Sequence, residues 1–128
     1  MVKKYPAPAS ASMRWGRVIT PFWVFGSEAS NPPANTILAQ YNVPSGKTGY
    51  IHGLYISCED GNRFAIQFTS NNTTYTLYIV MPTGGTIYLT DFIAMNEGLP
   101  CDGGTTISIK NINSGVGLYQ AGLFIGVV

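Results

Sequence analysis

Arg63-Phe64-Ala65-Ile66-Gln67-Phe68-Thr69-Ser70 runs through Asn71-Asn72 into Thr73-Thr74-Tyr75-Thr76-Leu77-Tyr78-Ile79-Val80. In the first half Phe64, Ile66 and Phe68 alternate with Arg63, Gln67 and Thr69, and in the second Tyr75, Leu77 and Ile79 share one parity. A period of two places such sets on opposite faces of an extended chain, so each half predicts a strand with one inward face. Asn71-Asn72 reads as the turn between them.

The same grammar extends outward in both directions. Upstream, Glu59-Asp60-Gly61-Asn62 holds an Asp-Gly hairpin signal, and residues 49–57 before it form the next candidate strand. Pro44-Ser45-Gly46-Lys47 reverses the chain after residues 36–43, in which Ile37, Ala39, Tyr41 and Val43 alternate with their neighbours. A spacer at 27–35 contains Pro32-Pro33, and the run 18–25 is interrupted by Pro21, which confines it to a sheet edge or a bulge. Downstream, a turn at 82–85 leads into 86–92, Gly103-Gly104 introduces 105–112, and 117–128 closes the series. Residues 91–97 offer one helical turn at most.

Eight candidate strands at intervals of about 10–15 residues, punctuated by Gly, Pro, Asn and Asp, predict an all-β protein. Antiparallel strands in this number match an eight-stranded jelly-roll β-sandwich, two Greek keys in a double sheet. An immunoglobulin-like sandwich is the alternative, without the Cys-Trp-Cys spacing that would support it. The expected organisation is an extended N-terminal arm over 1–17 and a single domain over 18–128. Leu123, Phe124, Ile125, Val127 and Val128 require packing inside a sheet or a subunit contact.

Composition narrows the function. Charged residues make up 10% of the 128, against about 25% in ordinary globular proteins, so Thr, Ser, Asn and Gln must supply the polar surface. Hydroxyls and amides cost less to bury against another copy than ions do, which favours self-association. The net charge of +1 creates no global field for nucleic acid or an anionic membrane. Lys3, Lys4, Arg14 and Arg17 are concentrated in the expected arm, yet four cations are few for a nucleic-acid contact. No stretch is long and apolar enough for a membrane span, and no apolar signal-peptide region is present.

Catalytic chemistry finds little support. The single histidine, His52, lies in the strand Tyr50-Ile51-His52-Gly53-Leu54 without a nucleophile motif beside it. Glu28, Glu59, Asp60, Asp91, Glu97 and Asp102 mostly occupy turn signals, where acids are common. A cupin-like metal site needs several histidines, so no enzyme activity, metal or cofactor is expected. Cys58 and Cys101 suit either one disulfide or two buried thiols. Overlapping glycosylation sequons begin at Asn71 and Asn72.

Aromatic side chains are the remaining means of recognition. Strand 49–57 carries Ile51 and Tyr55 on one face and Leu54 and Ile56 on the other by simple alternation, so cover is required on both sides. Large rings at strand positions bring much contact area at small entropic cost, which selects Trp15, Trp23, Tyr50, Tyr55 and Tyr119 as candidate subunit contacts.

The segment Val43-Pro44-Ser45-Gly46-Lys47-Thr48-Gly49-Tyr50-Ile51-His52-Gly53-Leu54-Tyr55-Ile56-Ser57, with Asn96-Glu97-Gly98-Leu99-Pro100, Gly103-Gly104-Thr105-Thr106 and Tyr119-Gln120-Ala121, resembles small jelly-roll virion proteins of phages and archaeal viruses over about residues 36–125. The resemblance implies a structural subunit of a capsid, decoration or spike, trimeric or pentameric. It also implies synthesis in the host cytoplasm, residence in the virion, and contact with other virion proteins or a host surface glycan. The alternative is a carbohydrate- or receptor-binding β-sandwich module. A trimeric ligand like tumour necrosis factor is a third possibility, from a class that is normally exported.

Overall fold

The structure is a computed structural model that describes the backbone of residues 12–14, 17–89 and 98–128, and the side chains of 20–89 and 98–128. Every described element is a strand, and the pairing between strands is antiparallel throughout. The chain forms β1 (Ser12–Arg14), β2 (Arg17–Ile19), β3 (Phe22–Phe25), β4 (Ala29–Ser30), β5 (Ile37–Asn42) and β6 (Gly49–Cys58). It continues through β7 (Asn62–Ser70), β8 (Thr73–Met81), β9 (Gly85–Leu89), β10 (Leu99–Cys101), β11 (Thr106–Asn111) and β12 (Leu118–Val127).

The expected runs fall on strands where they are described, 86–92 only as far as Leu89, and the described strands outnumber the eight expected. Pro21 separates β2 from β3, β4 adds two residues beside β12, and β10 adds three beside β6. Part of the expected arm lies in a ladder, because Ser12 to Arg14 pair with Ile19 to Arg17. The remainder of the arm, residues 1–11 with Trp15 and Gly16, lies outside the described residues, as does 90–97, which includes the helical turn expected at 91–97.

Two sheets enclose the core. In the first, β6 and β12 are central; β10 and β9 pair successively along the far edge of β6, and β4 and β3 along the far edge of β12. The second runs β5-β11-β7-β8. Inward residues of both form one cluster: Ile51, Leu54, Ile56, Tyr119, Leu123 and Ile125 from the first meet Phe64, Ile66, Ile107 and Ile109 from the second, all at 0% exposure. Each such aliphatic side chain contributes about 1.5–3 kcal/mol by leaving water. The apolar C-terminal run is therefore packed inside a sheet, as its composition required. Pro21 precedes a strand at the sheet edge, where a missing N–H is tolerated.

The opening stretch folds as its alternation dictates. Residues 62–70 pair with 73–81 in unbroken register. Asn71 and Asn72 both adopt positive φ, 54° and 62°, the left-handed pair of a two-residue turn whose twist matches the flanking strands. Asp102 accepts from both turn amides, Asn71 N at 3.0 Å and Asn72 N at 2.8 Å, tying this hairpin to the loop before β11.

Candidate functional site

Strand β6 requires cover on two sides, and a bulge decides which side chains go where. Its pairing with β12 shifts register between Phe124 and Ile125, opposite the segment Ile51 to Gly53. The extra residue brings Ile51 and Leu54 to the same inner face, correcting the alternation that separates them in a regular strand. Tyr55 is left on the outer face.

That outer face carries a cluster of rings. Directly paired residues share a face, so the row Tyr88, Tyr55, Gly122, Phe25 and the pair Phe124, Trp23 stand together on the solvent side of the first sheet. Trp23 is the hub: it stacks on Phe124 at 4.7 Å, Phe25 at 5.2 Å and Tyr88 at 5.6 Å between ring centroids. Phe25 also meets Tyr55 edge-on at 5.8 Å. Gly122 makes this possible, because a Cβ there would lie 2.5 Å from Phe25 Cδ1. A glycine inside a strand marks the close approach of another group, here a ring from the edge strand.

The cluster is only partly covered. Phe25 is 55% exposed and Tyr88 62%, while Trp23 and Tyr55 are half-buried. Trp23, Phe25, Tyr55, Tyr88 and Gln120 line a shallow depression of about 430 Å³ without a charged side chain. The amide of Gln120 donates through Nε2 to Gly26 O at 3.1 Å. Such a surface offers apolar area, ring edges and the phenol hydroxyls of Tyr55 and Tyr88.

Of the ring positions expected at a subunit contact, the fold brings Trp23 and Tyr55 together. Tyr50 shares the outer face of β6 but is buried at 4% exposure. Tyr119 faces the core at 0% exposure, leaving no ring surface for a neighbour. It is a core residue in this fold because its parity on β12 matches Ala121 and Leu123. Trp15 lies outside the described residues. The sequence reading missed Phe25, Tyr88, Phe124 and Gln120. Phe25 was signalled by its two-residue spacing from Trp23, whereas the role of Tyr88 depends on long-range pairing.

Polar side chains gather at the opposite end of β12. Tyr119 Oη donates to Asp60 Oδ1 and accepts from Asn62 Nδ2 at 3.0 Å. Asn62 Nδ2 also donates to Asn113 O at 2.8 Å, while its Oδ1 accepts from Arg63 N at 2.7 Å. Glu59 Oε1 accepts from Leu118 N at 2.7 Å, and Asp60 Oδ2 from Val116 N at 3.1 Å. These acids pin the loop that enters β12. Burial, followed by the bond to the Asp60 carboxylate, pushes the Tyr119 phenol up to about 12.

Both cysteines are free and buried, so the thiol alternative holds over the disulfide. Cys58 Sγ lies 3.8 Å from Met81 Sδ, and Cys101 Sγ is 3.6 Å from Leu99 O. Burial raises both thiols, Cys101 to about 12 with the Asp102 charge assisting. Among the described residues no group of three or more His, Cys, Asp or Glu side chains is placed to hold a metal ion, and no helix is long and apolar enough to cross a membrane. Comparison with protein-family models, curated proteins and solved structures finds no match.

Proposed function

We propose that this chain is a non-enzymatic structural subunit of a virion, in its capsid, decoration or spike, and that it assembles with copies of itself through uncharged, aromatic surfaces. The carrying observation is the exposed ring cluster of Trp23, Phe25, Tyr55 and Tyr88 on the solvent side of a sheet whose other side is already committed to the core. Aromatic groups ringed by neutral polar residues are what the centre of a protein interface favours.

The topology supports the same reading. Taking the longer strands, the first sheet runs β3-β12-β6-β9 and the second β5-β11-β7-β8. This interleaving is the order that two Greek keys produce when wound into a jelly roll, the architecture of many shell subunits. A trimer or pentamer, made in the host cytoplasm and housed in the virion, follows from that reading. A glycan is the second-ranked occupant of the ring face. Sugar hydroxyls need directional polar groups beside a ring, and the depression offers the Gln120 amide, one N–H of which is held by Gly26 O, and the Tyr55 and Tyr88 hydroxyls, a small set beside its apolar area.

The test is absolute mass by light scattering behind size exclusion, at low and high salt. The wild-type chain is expected to run as a salt-resistant oligomer. The double variant Phe25→Ser, Tyr88→Ser should fall to a smaller species while keeping its circular dichroism spectrum. A wild-type monomer across the accessible concentration range would overturn the proposal.

A further inference from the structure

A second surface lies far from the rings, along β8. This strand closes one end of the second sheet, and no described strand pairs with its other edge. Natural edge strands are blunted by charge, proline, bulges or shortness. Thr73-Thr74-Tyr75-Thr76-Leu77-Tyr78-Ile79-Val80-Met81 has no charge, no proline and no glycine, and its nine-residue register with β7 contains no bulge. The opposite edge strand, β5, is six residues long and meets its neighbour through a register shift. Along β8, Tyr75, Leu77, Tyr78 and Val80 are 47%, 38%, 54% and 62% exposed. On its inner side the sandwich opens into a groove of about 350 Å³ lined by Phe68, Tyr75, Leu77, Leu99 and Pro100.

The turn fixes which backbone groups are available. Ser70 and Thr73 pair across a two-residue loop, so the odd-numbered residues of β8 exchange hydrogen bonds with β7. The N–H and C=O groups of Thr74, Thr76, Tyr78 and Val80 consequently point outward. We infer that β8 pairs antiparallel with β8 of a second copy of this chain, about a two-fold axis at Leu77.

In that register Thr76 opposes the partner's Tyr78 and Thr74 the partner's Val80, so all four outward residues find reciprocal partners. On the inner side Leu77 meets its own symmetry mate and Tyr75 meets the partner's Ile79, covering the groove mouth. No charge on β8 opposes another, and aromatic against β-branched is a favoured cross-strand pair. The interface is isologous, as a two-fold requires. This inference rests on the reading of the chain as a self-assembling subunit, but it uses a separate surface from the ring face.

Cysteine scanning of the full chain tests the register, since Cys58 and Cys101 are buried. Leu77→Cys should give a covalent dimer under mild oxidation, because residue 77 faces itself across the axis. Thr74→Cys should not, because residue 74 faces residue 80. Thr76→Pro removes an outward N–H without touching the β7 ladder; it should abolish the Leu77→Cys cross-link while leaving the circular dichroism spectrum unchanged. Cross-linking of Leu77→Cys that survives in the Phe25→Ser, Tyr88→Ser background would support the edge as independent of the rings. An oligomeric wild type whose Leu77→Cys variant stays uncoupled, or couples no better than Thr74→Cys, would overturn the β8 pairing and leave the assembly reading standing. A monomeric wild type with no cross-link would overturn both.

Discussion

β12 and β8 are strands of nearly equal length, ten residues and nine, and neither carries a charge, yet they meet opposite fates. β12 pairs on both edges, with β6 on one and with β4 and β3 on the other, and is covered on both faces. β8 pairs on one edge, and most of its side chains reach solvent. Apolar content does not explain the difference. Gly122 flattens the outer side of β12 enough for the Phe25 ring of its neighbour to lie over it, whereas β8 carries no glycine and presents Tyr78 and Val80 to solvent. A central strand is made by what it lacks on its second face, and an edge strand by what it keeps.

The contrast is broken most sharply by truncating one leucine from each strand. Leu123→Ala on β12 should cost about 3–5 kcal/mol, near the upper end for a fully buried side chain, and Leu77→Ala on β8 less than about 1 kcal/mol in the monomer. Urea denaturation at low protein concentration measures both, and equal losses would show that β8 is as deeply integrated as β12. Tyr119→Phe keeps the buried ring but removes the hydroxyl between Asp60 and Asn62; a loss of about 1–3 kcal/mol is expected in the same titration.

Alkaline pH probes the interior by another route. Tyr119 and Cys101 both have their folded-state values raised to about 12, above the unfolded values of about 10 and 8.5. The protonated forms are the ones the fold favours, so their contribution is complete below the unfolded values and is lost as pH climbs toward 12. Denaturant midpoints should hold steady to about pH 8 and then fall, and Tyr119→Phe should flatten the upper part of that decline. Over the steady range, thiol reagents should label neither cysteine until the protein unfolds. Smallest of all, Val80→Thr should shift folding stability by no more than about 0.5 kcal/mol, because Val80 is 62% exposed.

Much of the architecture was legible because its signals are local. Alternation in Phe64, Ile66 and Phe68 and the Asn71-Asn72 reversal specify β7 and β8 within twenty residues. Pro21 marked an edge, and β3 occupies one. The surface was harder to read because it depends on partners far apart in the chain. Trp23 and Tyr55 were recognised as large rings at strand positions, but Tyr88 joins them only because β9 and β3 flank β6 and β12. Tyr119 was misplaced for the opposite reason: a tyrosine at a strand position looks amphipathic until Asp60 and Asn62, nearly sixty residues earlier, are found satisfying its hydroxyl inside the fold. The bulge in β6 opposite Phe124 and Ile125 likewise exchanged the two faces of that strand midway, which no strict two-residue period anticipates.

The position of β12 in chain order carries a consequence for synthesis. The hairpin of β7 and β8 is encoded locally and can close as soon as it leaves the ribosome, whereas β12, the last described strand, is the one on which β3, β4 and β6 all converge. Gln120, Gly122 and Phe124, which support the ring face, arrive with it. A nascent chain that has not yet delivered β12 thus lacks a finished ring surface, so emergence of this strand acts as a checkpoint on which chains can present both of the proposed contact surfaces.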